Sequence, residues 1–219
     1  MGREINLLKN YPVAPRDTKK RALSKTYEDR IIARKFGKEF FDGERKHGYG
    51  GFNYNKKFWG PVVPTFVEYW NLNKNSSILD IGCGKGFMLF DLISEIPGMN
   101  IAGIDISEYA IQNAKTEVKN FLQVGNATNL PFKDSSFDVV ISINTIHNLE
   151  KAECALALKE ISRVSKKNSY VTVDAYRSEE EKKKMFEWNL TAKTILSVDE
   201  WKKFFLQNDF KGDYYWFIP

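Results

Sequence analysis

Apolar residues along this chain come in short bursts separated by longer amphipathic stretches. Ile78-Leu79-Asp80-Ile81, Ile101-Ala102-Gly103-Ile104, Phe121 to Val124, Phe137 to Ile143 and Tyr170 to Asp174 read as short buried strands. Between them the period changes to that of a helix. Phe87, Met88, Phe90, Leu92 and Ile93 make one helix that must end before Pro97-Gly98. Ser107 can cap a second, which carries Tyr109, Ala110, Ile111 and Ala114 towards Lys119. Further helices are predicted from Lys151 to Val164, Ser178 to Trp188 and Val198 to Asn208. Strand and helix alternate, and right-handed crossovers turn such a chain into a doubly wound α/β sheet, mostly parallel, with helices on both faces.

The first 57 residues follow a different pattern. Residues 1–23 hold Pro12, Pro15 and the cluster Lys19-Lys20-Arg21 without sustained periodicity, and predict an irregular arm. From Thr26, which with Asp29 suits a helix start, Tyr27, Ile31, Phe36 and Phe40 recur at helical spacing until Gly43. A loop of cations, glycines and aromatics follows, from Arg45 to Trp59. A second helix enters near Pro61 or Pro64 and ends around Trp70. The expected organisation is an N-terminal extension, 1–57, folding as a lid over a catalytic-type domain, 58–219.

Composition adds three constraints. With 219 residues, 42% of them hydrophobic, the chain can bury one substantial core. Cys83 and Cys154 are too few for a disulfide framework and show no metal spacing, so no metal is expected. No apolar run approaches a membrane span or a signal-peptide core, which leads to the expectation of a cytoplasmic protein. The net charge of +5 is unevenly spread. Residues 1–60 carry 15 Lys and Arg against 7 Asp and Glu, while the other 159 carry 18 against 21. The positive surplus belongs to the extension, and it suggests an anionic ligand there.

The chemistry is concentrated in Ser77 to Gly86, SILDIGCGKG, a strand entering a turn with glycine at 82, 84 and 86. Asp80 stands two residues before the first glycine, and Asp105 ends the next strand. A carboxylate against a dinucleotide's pyrophosphate would be repelled, whereas a ligand with an ammonium and a sulfonium group would be held. The spacing Asp-x-Gly-x-Gly-x-Gly with a second acid after the next strand resembles class I S-adenosylmethionine (SAM)-dependent methyltransferases of the small-molecule type, from about Phe58 to about Phe210.

That resemblance implies SAM as methyl donor and S-adenosylhomocysteine (SAH) as product. It implies that Asp80, Gly82, Cys83, Gly84, Gly86 and Asn144 hold the methionine part. Asp105 would take the ribose hydroxyls, Ile106 one adenine face, and Asn126 with Ala127 the adenine edge, the Asn126 amide oxygen accepting from the amino group. Cys83, inside the turn, reads as a small packing residue and not as a reactive thiol. His147, His47 and Tyr49 are the catalytic candidates, and Arg45, Tyr49, Asp174 and Tyr176 the acceptor contacts. One departure stands out. Such enzymes finish with two strands in an antiparallel hairpin, and here the segment after Asn208 has room for one. Either the 189–197 stretch supplies a strand, or the sheet is one strand short and exposes an edge, to be covered by the N-terminal arm or by a second copy in a homodimer. Three functions remain open: methyl transfer to a small or medium-sized anionic metabolite, RNA methylation by way of the basic arm, and a SAM-binding subunit without turnover.

Overall fold

Strands β1 (Ser77–Ile81), β2 (Asn100–Asp105), β3 (Leu122–Val124), β4 (Phe137–Ile143) and β5 (Ser165–Tyr176) are parallel neighbours in the order β3-β2-β1-β4-β5. They come from a computed structural model that describes residues 2–13 and 15–219. The middle strands are buried on both faces, which is why they read as continuous apolar runs and not as alternating ones. Two cores result. On one face α8 (Lys151–Val164) and α10 (Val198–Gln207) pack Leu158, Ile161, Trp201 and Phe205 against Leu79, Val140 and Val171. On the other, α5 (Val63–Trp70) and α6 (Phe87–Glu95) pack Phe66, Leu89 and Leu92 against Ile78, Val139 and Ile141.

The C-terminal strand departs from the hairpin that the resemblance implies. β7 (Asp213–Phe217) pairs with β5 in parallel, from Tyr170 opposite Asp213 to Asp174 opposite Phe217. The stretch before α10 contributes only β6 (Leu196–Ser197), two residues paired with the end of β5. The outer edge of β7 is covered by the arm. Ile5 N–H donates to Tyr214 O and Tyr214 N–H to Arg3 O, both at 3.0 Å. Leu7 then enters the core that contains Phe66 and Tyr170.

The extension is more regular than its sequence suggests at one point and less so at another. Asp17 caps a helix, α1 (Thr18–Leu23), within the stretch expected to be irregular. The single helix expected up to Gly43 is instead α2 (Tyr27–Ala33) and α3 (Lys38–Asp42). Phe36, with φ +49, breaks it by entering the left-handed region, which ends a helix. The apolar stripe does not pack as a unit either, because Tyr27 and Ile31 face solvent. The Thr26–Asp29 capping box forms as expected. A one-turn helix, α4 (Lys56–Trp59), leads to α5. The helix after Ser107, α7 (Glu108–Gln112), stops short of the expected end. The remaining helix, α9 (Glu179–Trp188), ends beside α1. Among the described residues no helix is long and apolar enough to cross a membrane.

Candidate active site

The order of the strands reverses between β1 and β4, and beyond their carboxyl ends lies a crevice of about 1330 Å³. Its floor is the glycine turn. Gly82 and Cys83 N–H both donate to Ile104 O, at 2.7 and 3.1 Å, and Gly84 N–H donates to Asp105 Oδ2 at 2.8 Å. Gly82, Gly84 and Gly86 all have positive φ. They serve different ends. A Cβ on Gly82 would lie 2.0 Å from Thr145 Oγ1, and one on Gly86 2.8 Å from Leu122 and Val118, so these two allow close packing. Gly86 is absent from the crevice wall, contrary to its expected ligand role, because it faces those side chains. Cys83 lines the wall with its thiol buried, and burial pushes its pKa well up, so it is an inert surface.

Asp80 is buried and lines the crevice, and its carboxylate makes no hydrogen bond with a described residue. Burial, with a smaller contribution from the Asp105 charge, raises its pKa to about 8. A buried carboxylate without donors is held protonated, and a cation placed beside it would favour its charged form. Asp105 is also buried, but both of its oxygens already accept, Oδ1 from Ser107 N–H at 2.9 Å and Oδ2 from Gly84 N–H. It braces the turn and retains lone pairs on the outer side. Ile106 (55% exposed), Asn126 and Ala127, at the ends of β2 and β3, do not line the crevice, and neither does Asp105. The expected role of the Asn126 oxygen needs correction. It accepts both the N–H and the hydroxyl of Thr128 at 3.0 Å, which uses its two lone pairs and leaves the NH₂ to face a ligand.

At the ends of β4 and β5, Asn144 (φ +52) accepts the Thr172 hydroxyl at 2.9 Å and lines the crevice. His147 lines it too, but not as a base. Its Nδ1 accepts the N–H of Asp174 at 2.9 Å, so the ring proton sits on Nε2, and burial lowers its pKa to about 3. The Asp174 carboxylate makes no hydrogen bond with a described residue. It lies 3.7 Å from His147 Nε2, and burial raises its pKa to about 7. Tyr49 reaches the crevice from the extension and accepts N–H from Leu190 (2.8 Å) and Thr191 (3.3 Å). Its hydroxyl hydrogen is left to donate.

Two expected site residues lie elsewhere. His47 is buried inside the extension, with Nε2 2.8 Å from Asp29 Oδ1, and does not line the crevice. It ties the loop after α3 to α2. Tyr176 pairs with Ser197 under the Lys182 ammonium and is likewise outside the wall. Arg45 does line the crevice, and its guanidinium donates to Gly48 O.

The turn, the two unpartnered carboxylates and the polar groups at the ends of β2 and β3 together fit a cationic nucleoside ligand. The family model described as "Methyltransferase domain" matches residues 72–210. The chain belongs to the class I SAM-dependent methyltransferase family. A tRNA (carboxymethyluridine(34)-5-O)-methyltransferase of Arabidopsis thaliana is 33% identical over 145 residues, 64% of this chain and 33% of that protein. A demethylmenaquinone methyltransferase of Lactococcus lactis is 41% identical over 98 residues, 41% of this chain and 38% of that one. The chain thus spans about a third of the length of these two relatives. A solved SAM-dependent methyltransferase of Methanosarcina mazei shares the fold, with a TM-score of 0.52 and 23% identity over 65% of this chain and 82% of that one.

Several parts of the crevice carry no sequence signal. Phe41 covers Gly84, 3.3 Å from where a Cβ would stand. Lys85 Nζ is 2.5 Å from Asp42 and donates to Phe52 O at 2.9 Å, and the Tyr109 hydroxyl donates to the other Asp42 oxygen at 2.7 Å. The extension is thereby fastened onto the glycine turn. Arg16, Arg21 and Trp188 line the far side. No spacing rule links residues 16 and 21 to residue 188; only the packing of α1 beside α9 does.

Proposed function

We propose that the chain transfers the SAM methyl group to a small or medium-sized acceptor that carries negative charge. The observation behind this reading is the division of charge in the crevice. Asp80 and Asp174, buried and without donors, face it from the sheet, and the wall bears seven Lys and Arg side chains against three Asp in all. SAM, when bound, supplies an electrophilic methyl group on a sulfonium centre. The residues suited to hold it are Asp80 for its cationic part, Asp105 for ribose hydroxyls, and Ile106 with Asn126 and Ala127 for adenine.

The other residues orient the acceptor and exclude water. Phe41 and the Asp42–Lys85 pair close one side of the crevice, and Tyr49 with the segment from Trp188 to Thr191 closes the other. Holding nucleophile and methyl group in line can supply roughly 7–11 kcal/mol of the barrier without any metal. Where the nucleophile arrives protonated, Asp174 is the group suited to accept its proton, since His147 Nδ1 is already occupied.

RNA methylation is the second reading, supported by the name of the A. thaliana relative and by the basic extension. One experiment separates the two. Labelled SAM is incubated with the protein and size-fractionated cell extract, and the label is expected in small molecules. Label in RNA would favour the second reading, and tight SAM binding with no labelled product in any fraction would point to a subunit without turnover.

A further inference from the structure

Three guanidinium groups of the crevice, those of Arg16, Arg21 and Arg45, form no ion pair with a described residue. Their neighbours are aromatic rings and backbone carbonyls. Arg16 stands 4.7 Å from the Phe217 ring and 5.5 Å from that of Trp188. Arg21 stands 4.5 Å from Trp188 and 5.0 Å from Tyr49, and donates to Trp188 O and Gly48 O. Arg45 donates to Gly48 O as well. Aromatic faces stabilise a cation without neutralising it. Carbonyl dipoles also leave its full charge in place.

Such clustering costs free energy unless something of opposite charge enters. Arg16 and Arg21 are half-buried, and Arg21 stands close enough to Arg45 for the two charges to repel. Asp17, the acid nearest in sequence, is turned to the start of α1, where it accepts the Lys20 N–H at 2.9 Å. Arg16 makes no hydrogen bond with a described residue, so its planar fork of donors is available to a carboxylate or phosphate.

Position decides which ligand. Phe217, against which Arg16 stacks, ends β7, and the strand order places β1 and its glycine turn three strands away across β4 and β5. At about 4.8 Å between neighbouring strands this is roughly 14 Å from Asp80. Asp174, at the end of β5, is one strand from Phe217. We propose that Arg16, assisted by Arg21 and backed by Trp188 and Phe217, is the recognition site for a carboxylate or phosphate-monoester group of the methyl acceptor. That group is held about 5–10 Å from the atom that is methylated, the distance of one to two strand spacings. This deepens the proposed function and rests on it for the word acceptor, while the anion site itself can be tested without turnover.

The test uses the full chain saturated with SAH, titrated with sodium phosphate and separately with sodium acetate. Thermal unfolding is followed at constant ionic strength against chloride. Saturable stabilisation by phosphate or acetate in the millimolar range is expected. Arg16→Ala should weaken it at least tenfold while SAH affinity, by calorimetry, stays within twofold. Arg16→Gln, closer in shape, gives the same comparison if the alanine variant folds poorly. An equal response in both variants and the parent, or none beyond chloride in the parent, overturns the site. A parallel loss of SAH affinity also overturns it, because the guanidinium would then serve the donor's own carboxylate. So does a tRNA affinity that depends on Arg16 where phosphate and acetate give no response. Failure of the methyl-transfer reading would appear separately, as absence of labelled product in extract while the phosphate response and its Arg16 dependence persist.

Discussion

The backbone N–H of Asp174 donates to Nδ1 of His147, and this single 2.9 Å bond determines what the imidazole can do. A backbone N–H cannot reverse its role, so Nδ1 is an acceptor and Nε2 carries the proton. With burial lowering its pKa to about 3, His147 stays neutral throughout the pH range of the cell. His147→Phe should therefore cost about 1–3 kcal/mol of stability, from the buried Asp174 N–H left without an acceptor, measurable by denaturant unfolding. The His147 ring signals should show no titration between pH 5 and 8 by NMR. A midpoint near 6.5 would restore it as a candidate base.

Asp80 and Asp174 give the ligand-free protein an unusual pH dependence. Burial raises both pKa values, to about 8 and about 7, above the ordinary carboxylate value. Between pH 4 and 8 the folded state therefore holds protons that the unfolded state has lost. The contribution of these groups to stability falls as pH rises through that window and levels off above it. Asp80→Asn should flatten this slope and stabilise the ligand-free protein at pH 8 by at least ~1–2 kcal/mol, read from denaturation curves at pH 5.5 and 8. The same substitution should weaken SAM binding.

Binding a cation beside Asp80 must favour its ionised form. SAM binding at pH 7 is then expected to release a proton, and its affinity should rise with pH up to about 8. Calorimetry in two buffers of different ionisation enthalpy measures this directly. Proton uptake, or none, would remove Asp80 from the cation's surroundings.

The glycines of the turn should respond differently to the same change. Gly82→Ala places a methyl group 2.0 Å from Thr145 Oγ1 at φ +85 and should cost more than ~2 kcal/mol. Gly84→Ala meets only Phe41, at 3.3 Å and φ +53, and should cost about 1 kcal/mol. Thermal unfolding of the two variants checks the order.

Lys85→Met should loosen the extension, since it removes the ammonium that holds Asp42 and Phe52 O. Faster proteolytic cleavage between α3 and α4 is expected. Deleting the arm itself would be uninformative about a lid, because Leu7 belongs to the core and residues 3–5 cover the edge of β7.

Local pattern was enough for the parallel sheet, for most of its helices and for the glycine turn at the crevice floor. Buried strands must be apolar throughout, and a glycine turn flanked by Asp80 and Asp105 expresses its chemistry within thirty residues. The Thr26 and Ser107 caps were legible for the same reason, each being a contact between residues three apart. What lay beyond local pattern was long-range. Periodicity cannot show that Phe36 turns left-handed and splits a helix, nor that β7 runs parallel, since a strand reads the same in either direction. His47 and His147 look alike as lone histidines near expected loops. Only the fold pairs the first with Asp29, out of the crevice, and occupies Nδ1 of the second. The guanidinium of Arg16 meets the Trp188 ring across 172 positions of sequence, and no pattern in a single chain anticipates such a contact. Propensity and spacing act over a few residues, whereas the far wall of the crevice is made where distant segments bury each other's surface, and that burial is decided by the whole fold.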